Sequence, residues 1–75
     1  MALTKNHLKA FREARGLTQE KLAERVQVSR QTIISIEGGR YVPSLELALK
    51  FSHEFNCQVE DLFGIEVEHA VHRKA

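Results

Sequence analysis

Apolar residues recur along this chain in short helical stripes, separated by small polar residues and glycines. Leu8, Phe11 and Ala14 stand three apart and predict a first helix from about Lys5 to Arg15, with Gly16 suited to its left-handed cap. Thr18 is a good N-cap for a second helix to about Arg25, which turns Leu22, Ala23 and Val26 inward. Ser29 opens a third that ends at Gly38-Gly39. Pro43-Ser44 opens a fourth to about Phe55, with Leu47, Ala48, Phe51 and Phe55 on its buried stripe. A short fifth near Val59–Phe63 ends at Gly64.

Beyond it the period changes. Ile65, Val67, His69 and Val71 alternate with Glu66, Glu68 and Ala70, a pattern that predicts a short strand. A lone strand leaves its backbone groups unpaired, so Ala2–Thr4 or a second subunit would have to partner it. No long linker interrupts the helices. The expectation is one all-α domain over residues 1–75, with a compact core at 5–63 and a tail at 64–75 that is a strand or a dimer contact.

The second and third helices are separated by a turn of about three residues, with small Ala23 where their axes would cross. That spacing is the helix-turn-helix arrangement, in which one helix braces another across the major groove of DNA. Gln27 stands in the tight turn where glycine is common, so it is expected to take a left-handed conformation at modest cost. On a helical wheel starting at Arg30, Ile33 and Ile36 fall at about 300° and 240°, the core side. Arg30, Gln31, Ile34 and Ser35 fall at about 0°, 100°, 40° and 140°, on the opposite arc. Arginine pairs with guanine, glutamine with adenine, and an aliphatic group packs on a thymine methyl. A plain solvent-facing surface with one stray isoleucine is the competing account of this arc.

Charge sharpens the picture only when divided. Eight cations face four acids up to Arg40, and three face six from Tyr41 onward, inside a net charge of +1. A basic front and an acidic rear suit a polyanion partner, or an ordinary mixed-charge surface. No apolar run approaches the ~20 residues that span a bilayer, so no membrane role is expected. The lone Cys57 forms no internal disulfide and fits the cytoplasm, as a small core residue between the last two helices. His53 and Cys57, or His69 and His72, lack the paired spacings of a zinc site. No phosphate loop, nucleophile elbow or HExxH motif occurs, so no catalytic residue, metal, cofactor or small-molecule effector is expected.

TQEKLAERV followed by VSRQTIISIEGGRYVPSLELALKF resembles the Cro/CI-type (XRE-like) helix-turn-helix regulators, especially their short single-domain members. The resemblance spans about Leu8 to Phe63. It implies a five-helix, lambda-repressor-like domain that regulates transcription, usually as a homodimer on a palindromic operator. It implies that Gln19 binds a phosphate, and that Arg30, Gln31 and Ser35 read bases with Thr32 nearer a phosphate. Gly39, Arg40 and Tyr41 would hold the opposite strand's backbone, and Arg12 would pair with Glu37 as a structural ion pair. The rival reading is an antitoxin-like or accessory module whose helix-turn-helix serves a protein partner. The acidic rear and the tail, which no DNA contact requires, favour that rival.

Overall fold

A computed structural model of the chain describes residues 3–66. Five helices and a two-stranded ribbon follow in the order β1 (Lys5–Asn6), α1 (Leu8–Ala14), α2 (Gln19–Val26), α3 (Arg30–Glu37), α4 (Leu45–Phe55), α5 (Val59–Leu62) and β2 (Phe63–Gly64). This is the lambda-repressor-like arrangement implied by the resemblance, extended by a small antiparallel sheet.

Local chemistry starts most of these helices. The hydroxyls of Thr18, Ser29 and Ser44 each accept a backbone N–H from the third residue of their helix, Lys21, Thr32 and Leu47. Each bond satisfies a donor that the helix itself cannot. At the other end of α2, Gln27 is left-handed with φ 63°, so α2 can stop and Val28 can fold back to bond Ala23. Asn56 closes α4 in the same way.

The core forms where the stripes meet. Leu8, Leu22, Val26, Ile33, Ile36, Phe51, Phe55 and Leu62 are buried together. α2 packs against both α3 and α4, and α1 reaches α3. Phe11 meets Phe55 with ring centroids 5.8 Å apart, and Phe51 meets Phe63 at 6.1 Å. Cys57 is partly buried against this cluster, and burial, aided by the Asp61 charge and opposed by Arg15, pushes its thiol pKa up.

Four expectations need correction. The first helix starts at Leu8 and ends at Ala14, because Lys5 and Asn6 pair with Gly64 and Phe63 instead of coiling. Ala14 is exposed, and Arg12 takes the inward position one turn after Leu8. The fifth helix stops at Leu62, since Phe63 is extended and enters β2. The strand that pairs with the N-terminal segment is Phe63–Gly64, just before the alternating stretch; of that stretch Ile65 and Glu66 carry no regular structure, and Val67, His69 and Val71 lie outside the described residues. Thr4 still takes part, its N–H donating to the Gly64 carbonyl at 2.9 Å.

Gln27 gives a direct test of the turn. A non-glycine residue in the left-handed region costs about 1–2 kcal/mol, partly matched by the entropy a glycine loses on folding. Gln27→Gly should therefore stabilise the domain by about 0.5–1 kcal/mol. The urea midpoint should rise with no change in slope.

Candidate nucleic-acid interface

The third helix is pinned from below and left open above. Ile33 and Ile36 are fully buried, while Arg30 and Gln31 are exposed and Thr32, Ile34 and Ser35 half-exposed. The two faces of the wheel are therefore those of the folded helix, with one difference. Ile34 is half-sheltered, yet it is not among the residues packed on the core.

Past α3 the chain turns sharply. Gly38 N–H bonds the Ile34 carbonyl at 2.9 Å and Gly39 N–H bonds that of Ile36 at 3.0 Å. Gly39 has φ 78°, a conformation that strains any side chain, so glycine suits it. The turn returns Arg40 toward the helix, and its N–H bonds the Ser35 carbonyl at 2.9 Å. Ser29, Gln31, Thr32, Ser35, Arg40 and Tyr41 consequently line one shallow cleft of about 330 Å³. Gln31 Nε2 lies 3.4 Å from Ser35 Oγ, and the Ser29 and Thr32 hydroxyls are 2.9 Å apart. The cleft presents donors, acceptors and one guanidinium but no nucleophile–base pair.

Beneath this surface lies a carboxylate with three donors. Arg12 Nε donates to Glu37 Oε2 at 2.6 Å, and Arg12 Nη2 to Oε1 at 3.2 Å. Gln19 Nε2 donates to the same Oε1 at 3.1 Å. Arg12 Nη1 also satisfies the Leu17 carbonyl at 2.8 Å. The Arg12 and Glu37 side chains are only 10% and 5% exposed. The hydrogen bond to Glu37 holds the Arg12 pKa above its ordinary value, against the desolvation that lowers it, and the Glu37 and Glu13 charges add to the rise.

The Gln19 contact was not visible from spacing alone. Gln19 opens α2, where free backbone N–H groups favour an anion, and its amide is aimed by Glu37. One of its two N–H groups is used by Glu37, which leaves the other available outward. Among the described residues no group of three His, Cys, Asp or Glu could hold a metal ion, and no helix is long and apolar enough to cross a membrane.

Known proteins share this architecture. A family model described as helix-turn-helix matches residues 8–62. An uncharacterized HTH-type transcriptional regulator of Methanocaldococcus jannaschii is 54% identical over 59 residues, which is 79% of this chain and 89% of that protein. The HTH-type regulator YgzD of Bacillus subtilis is 52% identical over 64 residues, 85% of this chain and 97% of its own length. Among solved structures, the restriction-modification controller protein C.AhdI of Aeromonas hydrophila aligns with a TM-score of 0.70 at 32% identity. That alignment covers 76% of this chain and 86% of the controller.

The buried ion pair makes an asymmetric prediction. Glu37→Leu alone strands the Arg12 guanidinium in a nearly closed site and should cost about 3–5 kcal/mol. Arg12→Met combined with Glu37→Leu should recover most of that loss, as read from chemical denaturation of both variants.

Proposed function

Because this chain belongs to the helix-turn-helix family of DNA-binding transcriptional regulators, we propose that it binds a palindromic operator as a homodimer, with α3 in the major groove, and represses transcription there. The observation that carries this reading is the single cleft in which the outer face of α3 meets the Gly39–Tyr41 loop. Gln31 and Ser35 inside the cleft, with Arg30 beside it on the outer face of α3, read base edges, and Ile34, also outside the cleft lining, contacts a thymine methyl. Gln19, Thr32, Gly39, Arg40 and Tyr41 hold phosphates on the two sides of the groove. Repression follows sterically, because a protein seated on both strands denies that stretch to polymerase. The site of action is then the cytoplasm, where bacterial and archaeal DNA lies.

Two copies are needed on physical grounds. One module of this size covers too little DNA for high specificity, whereas two on half-sites ~34 Å apart double the contact. Leu45 and Leu49, four apart on α4, are 73% and 51% exposed, and Val42 in the loop before the helix is 49% exposed. Such a stripe is what an isologous interface would cover. The dimer is placed on α4, α5 and the C-terminal segment, leaving the basic side free. Sedimentation should show a dimer at micromolar concentration, and a monomer at high concentration would remove this part of the proposal.

Two substitutions separate reading from holding. Gln31→Ala should relax discrimination at one base position by about 1–3 kcal/mol while leaving binding to random DNA intact. Arg40→Ala should weaken all sequences alike and flatten the salt dependence by about one unit of slope. Equal losses on selected and random duplexes from Gln31→Ala would displace α3 as the reading helix. An absence of any preferred duplex at physiological salt would defeat the operator model as a whole.

A further inference from the structure

Asn6 bonds two separate parts of the molecule. Its Oδ1 accepts from the Leu8 N–H at 3.3 Å, at the start of α1. Its Nδ2 donates to the Ile36 carbonyl at 2.8 Å, thirty residues away in the last turn of α3. That same carbonyl accepts the Gly39 N–H at 3.0 Å. One oxygen thus holds both the beginning of the Gly39–Tyr41 loop and a side chain from β1.

The backbone beneath that side chain is itself fixed. Asn6 stands opposite Phe63 in the ribbon, and Lys5 opposite Gly64. On either side, Thr4 N–H bonds the Gly64 carbonyl at 2.9 Å and His7 N–H bonds that of Leu62 at 2.7 Å. Asn6 cannot slide along α3 without breaking this pairing. The backbone at the end of α3, by contrast, is closed only by bonds from the loop that follows it, Gly38 to Ile34, Arg40 to Ser35 and Gly39 to Ile36. Two glycines open that loop, so the orientation of the helix end depends on what holds the loop, and Asn6 holds it through the Ile36 carbonyl.

We propose that Asn6 is a positioning residue for DNA reading, tying the last turn of α3 and the loop after it to the β1–β2 ribbon. It keeps one spacing between the side chains of α3 and those of the Gly39–Tyr41 loop. The inference rests on α3 being the reading helix and extends the apparatus to a residue outside both DNA-facing segments. The ribbon, which no pattern of base contacts requires, then has a role: it is the fixed point from which the reading surface is held.

Two variants test it. Asn6→Ser keeps an oxygen that can cap α1 but is too short to reach Ile36. Asn6→Asp keeps the cap and turns the donor toward Ile36 into an acceptor. Amide NMR spectra of the free variants should show shifts at Ile36–Tyr41 and little change across Gln19–Val26. On a duplex enriched by the wild-type protein from a random pool, affinity should fall about five- to tenfold, the equivalent of one hydrogen bond. Affinity for an unselected duplex should stay within about twofold of wild type.

A parallel loss on both duplexes that follows a lowered melting temperature would make Asn6 merely structural and overturn the proposal. Unshifted amides, or an unchanged ratio between the two duplexes, would overturn it as well. If the wild-type protein enriches no duplex, the reading of α3 fails by itself, and the NMR shifts still decide whether Asn6 holds the end of that helix.

Discussion

The Glu37 carboxylate is the point on which the rest of the arrangement turns. It closes α3, and it receives Arg12 from α1 and Gln19 from α2. The apolar core beneath fills space without direction, so several small rotations of α3 on α2 would bury similar area. Three hydrogen bonds to one nearly buried carboxylate leave far fewer choices. A buried ion pair contributes little net stability compared with an apolar replacement. Its contribution here is an angle, and the angle sets where the outer face of α3 looks.

That outer face is chemically possible only because other residues do the holding. Ile33 and Ile36 press α3 onto the core, Ser29 begins it, and Gly39 turns the chain back beside it. Arg30, Gln31 and Arg40 are then free to remain exposed, with no part in the fold to satisfy. Exposed polar groups on a helix held in place from below suit the edges of bases and phosphates. Gln19 belongs to both layers. One of its amide N–H groups is committed to Glu37, and the rigidity this confers is what a phosphate contact at a helix start would use.

The basic front and acidic rear fit the same division. Of the cations up to Arg40, only Arg30 on α3 and Arg40 in the loop after it share elements with the cleft, while Lys9 and Arg12 lie on α1 and Lys21 and Arg25 on α2; Glu46, Glu54, Glu60 and Asp61 lie on α4 and α5. Two of the rear acids are already engaged, Glu54 with Arg25 at 3.0 Å and Glu46 with Lys50 at 3.8 Å. Among the described residues, Arg30 and Arg40 enter no ion pair of this kind. Their charge is not spent within the chain; that of Arg40 lines the cleft, and that of Arg30 lies on the exposed face of α3 outside it.

Sequence alone determined what is decided within a few residues. The hydroxyls of Thr18, Ser29 and Ser44 start helices through bonds spanning three positions, and Gln27 stops one by its own backbone conformation. The stripes of Leu22, Val26, Ile33, Ile36, Phe51 and Phe55 follow from helical period, and so did the arc of Arg30, Gln31 and Ser35. The tertiary structure decided the rest. Lys5–Asn6 became a strand because Phe63–Gly64, nearly sixty residues on, is there to pair with it, and two-residue strands are too short to show a period. Arg12 turned inward and Ala14 outward because Glu37 awaits a cation, a preference stronger than the small apolar area of an alanine. Gln19 reaching Glu37 and Asn6 reaching Ile36 are contacts across 18 and 30 positions. No local spacing encodes such meetings, since they exist only once the helices have been packed.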